Sequence, residues 1–156
     1  MSKRVPFALV TFLHDLFTVI WIGGMLTLGL IVLPATRKVL GSDEEAKRLM
    51  AVVQRRLSPL VYASILGLIL TGALLARREP AFQGLLHFGT PYGLVLGIKH
   101  LLTVLMVGIT VVRSLVLRSA HKPSQQRLKI MLLLSNIALG LLVLLLSGLS
   151  VALSST

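Results

Sequence analysis

The chain contains no cysteine among its 156 residues. Disulfides, thiolate metal sites, thiolate-bound haem and iron–sulfur clusters are therefore excluded. Charge is also scarce: 13% of residues are Asp, Glu, Lys or Arg, against 55% hydrophobic, with a mean hydropathy of +0.91. A soluble domain of this length could not hide so much apolar surface. The start, Met1-Ser2-Lys3-Arg4, leads into a long apolar run without a small-residue cleavage site, which reads as a retained signal-anchor helix. No internal repeat is visible, and a single domain over residues 1–156 is expected.

Four stretches are long and apolar enough to cross a hydrocarbon core, which takes about 20 residues. They run over about 7–33, 60–76, 92–116 and 128–153, the first ending near Pro34. Such segments must satisfy their backbone internally, which favours helices. The expectation is an all-α integral membrane protein, a four-transmembrane-helix bundle. Ser42-Asp43-Glu44-Glu45 has the form of a capping box. It predicts a short amphipathic cytoplasmic helix between spans one and two, from about Asp43 to Arg56, before Pro59 restarts or kinks the chain.

The formal charge of +11 reads as loop anchoring on a membrane face rather than nucleic-acid binding. Lys3, Arg4, Arg77 and Arg78 fall on one side. Eleven basic residues, from Arg37 to Arg56 and from Arg113 to Lys129, fall on the other. This asymmetry predicts cytoplasmic first and third loops and both termini outside.

Within the apolar spans two polar dipeptides stand out, His14-Asp15 and Lys99-His100. Ionisable residues at membrane depth are costly and by default mark a functional site. His14 lies ten residues past Arg4 and His100 ten past Thr90; at about 1.5 Å per residue the two imidazoles are expected at similar depth. If the histidines face one another across a bundle, the mirrored order sends Asp15 and Lys99 to the same flank as a charge pair. Two facing imidazoles are a usual way to hold a haem iron or a metal in a helical bundle. His14, Thr18, Trp21 and Met25 fall on one helical stripe, and Gly93 and Gly97 share the stripe of His100, where small side chains would admit a flat macrocycle. Gly93-x-x-x-Gly97 is, however, more often a helix-packing motif. Met25 is eleven residues from His14, about 16 Å along a helix, so no methionine ladder accompanies the histidines. His87 and His121 are expected in solvated loops, and Ser135 and Asn136 in interhelical hydrogen bonds.

Trp21-Ile22-Gly23-Gly24 after His14, then Val32-Leu33-Pro34, carry a resemblance. So do Arg56-Leu57-Ser58 leading to Leu70-Thr71-Gly72, and Gly89-Thr90-Pro91-Tyr92-Gly93 followed by Gly97-Ile98-Lys99 and later Val112-Arg113. Over roughly residues 10–120 the chain resembles the membrane domain of the CopD (copper resistance protein D) family, as little more than its four-span core. The resemblance implies bacterial or archaeal copper handling, usually proposed as uptake across the cytoplasmic membrane. His14, Trp21 and Lys99 are also similar to the pattern of HemJ-type protoporphyrinogen oxidases, which are associated with haem b.

Four functions are weighed. The first is a b-type haem protein with His14 and His100 as axial ligands, Trp21, Gly93 and Gly97 beside the cofactor, and Asp15 and Lys99 moving protons. It would exchange electrons with a quinone or an outer-face partner. The second is copper binding and transport on the same histidines. The third is a porphyrinogen oxidase, a membrane oxidoreductase. The fourth is a structural subunit. All assume the lipid bilayer as solvent and leave room for an oligomer.

Overall fold

The computed structural model describes residues 4–41, 44–77, 89–116 and 123–154. His87, His121 and the Ser42-Asp43 start of the capping box lie outside them. The described residues are helical, and four helices are long and apolar enough to cross a membrane: Pro6–Leu40, Glu44–Ala76, Pro91–Leu115 and Ser124–Leu153. Between 22% and 28% of each is buried, so most of every span presents apolar side chains outward. Leu30, Ile31, Leu66, Ile69, Leu101 and Leu145 are examples. That is the surface a lipid solvent requires. The chain divides into two compact units, Met1–Ala73 and Leu74–Thr156.

In the first unit, helix α1 (Arg4–Thr18) passes into a π-helical turn (Val19–Gly23), then α2 (Gly24–Leu26), a second π turn (Thr27–Val32) and α3 (Leu33–Leu40). The helix does not stop near Pro34, as the proline suggests. In a regular α-helix the Pro34 ring would collide with the carbonyl four residues back. The π turn just before it lets Leu33 N–H reach the carbonyl of Leu28 instead, and this wider turn accommodates the ring. The run ends at Gly41, whose φ of 67° suits a residue without a Cβ.

Helix α4 (Glu44–Ala76) is a single 33-residue helix. The amphipathic segment expected over Asp43–Arg56 is continuous with span two, and Pro59 lies inside the helix. A proline there frees one carbonyl, yet stopping the helix would expose many more polar groups beside lipid. Ser58 Oγ donates to the Gln54 carbonyl at 2.7 Å, a local bond of the kind that helps such helices absorb proline. Glu44 and Glu45 occupy the first turn, where the helix dipole favours negative charge.

The two rods of this unit meet in antiparallel sense. His14 contacts Thr71, the Phe17 ring fills the space a side chain on Gly67 would need, and Gly24 faces Leu57. Position numbers rise on one rod as they fall on the other. Gly67 is therefore a notch for an aromatic ring.

In the second unit, α5 (Pro91–Val111) starts at Thr90. The Thr90 hydroxyl accepts from Gly93 N–H at 3.0 Å, and Pro91 occupies the first turn, where its missing N–H costs nothing. Gly89-Thr90-Pro91-Tyr92-Gly93 is thus a helix-start device. A π turn (Val112–Val116) extends α5, which packs against α6 (Pro123–Ser154). Leu133, Asn136, Ile137 and Val143 form the buried stripe of α6. Asn136 Nδ2 donates to Thr110 Oγ1 at 2.9 Å, the interhelical bond expected of this asparagine; Ser135 is exposed.

The Phe17–Gly67 contact yields a test. Gly67→Val forces the ring out of its notch and should destabilise the protein by about 1–3 kcal/mol, read as an earlier thermal transition by circular dichroism in detergent. Adding Phe17→Ala should recover much of that loss. Equal transitions for Gly67→Val and the parent would show that the ring sits elsewhere.

Candidate functional site

Thr71 has one hydroxyl proton. It donates that proton to the Gly67 carbonyl at 2.7 Å. The same oxygen lies 2.9 Å from His14 Nδ1, so there it must accept. His14 therefore carries a proton on Nδ1, and in the neutral ring the lone pair is on Nε2. Thr18 adds a bond from its hydroxyl to the His14 carbonyl at 2.9 Å. A Cβ on Gly72 would stand 3.6 Å from His14 Cε1, so the ring lies along the Thr71-Gly72 step of α4.

His100 reaches the same protonation pattern by another route. Its Nδ1 lies 2.7 Å from the Leu96 carbonyl, which can only accept. His100 is accordingly an Nδ1–H donor, with the neutral ring's lone pair again on Nε2. Both rings are half-buried. Metal-ligating histidines characteristically donate the second ring N–H to an oxygen, which fixes tautomer and orientation. Each histidine has this support within its own unit.

The remaining sequence-derived residues divide by exposure. Trp21 and Met25 are buried, at 2% and 1% exposure. Trp21 sits in the π turn Val19–Gly23, so the regular α-helical stripe from His14 through Thr18 to Trp21 and Met25 is interrupted. π turns recur at functional sites. The Trp21 Nε1–H is buried and has no acceptor among the described residues. Gly93 and Gly97 are buried on α5. Lys99 is half-buried, and Asp15 is exposed on α1. Among the described residues, no three His, Cys, Asp or Glu side chains form a group able to hold a metal ion.

Thr71 is the partner of His14 that sequence reasoning did not single out. It stood only within the Leu70-Thr71-Gly72 motif. A threonine in an apolar helix ordinarily bonds its own helix backbone, and nothing in the linear sequence pairs it with a residue 57 positions away. The π turns likewise have no clear sequence mark beyond the Gly23-Gly24 pair.

The family model for copper resistance protein D matches residues 51–153. That interval contains nearly all of α4 after its amphipathic start, with Thr71, and α5 with Lys99 and His100; His14 and Trp21 precede it. No curated protein and no solved structure matches the chain. With the match spanning well over half its length, this multi-pass membrane chain belongs to the copper resistance protein D family.

Proposed function

We propose that the protein carries copper across the cytoplasmic membrane, with Nε2 of His14 and Nε2 of His100 each a ligand for copper within its own unit. The observation that carries this reading is the matched protonation of the two rings: each donates Nδ1–H to an oxygen, Thr71 Oγ1 for His14 and the Leu96 carbonyl for His100. A neutral imidazole held this way presents its basic nitrogen without spending a proton on it, and imidazole is a good copper ligand. Family membership favours copper as the cargo. Transport also asks for sites that bind well enough to load and weakly enough to release.

Binding of b-type haem with membrane electron transfer to a quinone or an outer-face partner is the second reading. It draws on Trp21 and on the two buried glycines. A buried indole N–H lacking an acceptor among the described residues is a donor that a propionate would satisfy. Gly93 and Gly97, buried on the turns preceding His100, are the small side chains against which a flat ring would lie. The histidines would supply axial nitrogens, and Asp15 and Lys99 would handle protons.

Purified protein loaded with copper should lose most of its metal by elemental analysis in His14→Ala and in His100→Ala. Full copper content in both variants would end the copper reading. A Soret band that shifts on reduction and vanishes in the same variants would transfer the assignment to haem.

Thr71→Val removes the acceptor for His14 Nδ1–H and should weaken copper binding by about 10–100-fold. Thr71→Ser should stay near the parent. Equal affinities for the valine and serine variants would dissociate Thr71 from the site.

The basic-residue asymmetry places both termini outside in this reading, and the absence of native cysteine makes it directly testable. Cysteine introduced as Ser155→Cys should react with a membrane-impermeant maleimide in intact cells, and Lys38→Cys should not. The opposite labelling pattern would invert the orientation.

A further inference from the structure

Helix α4 carries a charged feature of its own, about four turns from Thr71, the partner of His14. An open groove of about 400 Å³ is lined, among the described residues, by Val52, Arg55 and Arg56. Both guanidinium groups belong to exposed residues, and neither makes an ion pair among the described residues. The acidic residues at the start of α4 lie further back, and Glu44 is engaged with Lys47 at 3.4 Å. Two adjacent, uncompensated guanidiniums are suited to phosphate, which they can grip with parallel N–H donors.

The helix itself fixes where this groove lies. From Leu57 to Ala76, with Arg77 following, about 1.5 Å per residue gives roughly 30 Å, the thickness of a hydrocarbon core. Arg55 and Arg56 thus stand at one boundary of α4's apolar stretch and Arg77 at the other. The preceding turns carry exposed Leu49 and Val52, at 43% and 58% exposure, interleaved with Lys47 and Arg48. Because α4 is continuous with the span, these side chains stand about one to two turns beyond the hydrocarbon boundary, at the level of the headgroups. Val52 lies one turn further from the hydrocarbon and closes the groove on the aqueous side, while Leu60, 54% exposed one turn inside the boundary, offers an apolar wall to an acyl chain beneath the two arginines.

We propose that Arg55, Arg56 and Val52 form a binding site for the phosphate headgroup of an anionic phospholipid. The site is separate from the copper reading and does not depend on it. A basic groove at this level on α4 differs from general loop charge because it pairs two guanidiniums with an apolar side chain at headgroup depth.

The test uses the full-length protein in neutral detergent, titrated with phosphatidylglycerol, phosphatidylcholine or inorganic phosphate and read by native mass spectrometry. Phosphatidylglycerol should remain bound, and phosphatidylcholine should not. Affinity should fall about fivefold for Arg55→Gln or Arg56→Gln, and about 25-fold for the double variant. The control Arg37→Gln/Lys38→Gln removes equal charge elsewhere and should retain the lipid. Circular dichroism verifies that each variant is folded. Unchanged phosphatidylglycerol binding in the double variant would overturn the proposal. So would equal loss in the Arg37→Gln/Lys38→Gln control, which would mean delocalised charge. Inorganic phosphate displacing the lipid at comparable concentration would also overturn it, by assigning the groove to the free anion.

Discussion

The hydrogen bond between His14 and Thr71 does two jobs with one oxygen. Because Thr71 has already given its proton to the Gly67 carbonyl, it can only receive from His14, and a proton on Nδ1 follows. Because the two residues lie on α1 and α4, the same bond fixes how these helices pair. One turn away, Phe17 occupies the notch at Gly67, so the carbonyl that orders the threonine belongs to the residue that receives the aromatic ring. A net hydrogen bond is worth only about 1 kcal/mol. Here it is joined to a close steric fit, and the two together fix a register that neither would hold alone.

Much of the fold is legible in the sequence, because lipid permits so few backbone solutions. Apolar runs near residues 7–33 and 92–116 must be helical, and Thr90-Pro91 states where one of them begins. Proline is where such reading goes wrong. Pro34 looks like an end, and Pro59 like a restart or a kink, in a grammar learned from water, where a broken helix can hydrate its freed carbonyls. In an apolar medium the cheaper course is to continue, by widening the turn ahead of Pro34 and by keeping α4 unbroken through Pro59. The π turn around Gly29 answers Pro34, whereas the one around Trp21 has no proline behind it and no local mark beyond the Gly23-Gly24 pair.

The site is legible to a different degree. His14 and His100 announce themselves because imidazoles are rare in apolar runs, and the cost of burying them demands a reason. Their supporting oxygens do not. For His100 the acceptor is the Leu96 backbone carbonyl, and every helical residue has one. For His14 it is a threonine on another helix. Asn136 could be foreseen as an interhelical donor from its polarity, whereas its acceptor Thr110 could not, since threonines at Thr11, Thr18 and Thr103 bond back to their own helices.

The two histidines consequently differ in what can disturb them. His100 takes its tautomer from its own helix, four residues back, and keeps it through any rigid movement of α5. His14 takes its tautomer from α4, so a slide of α1 along α4 by even one residue, about 1.5 Å, breaks the bond and removes the acceptor that holds the proton on Nδ1. A ligand whose basic nitrogen depends on the register of two helices is coupled to their motion, whereas one anchored within a single helix is not. On the proposed copper reading, an adjustable affinity would belong to His14, whose support crosses between helices, and a constant one to His100, whose support is its own helix.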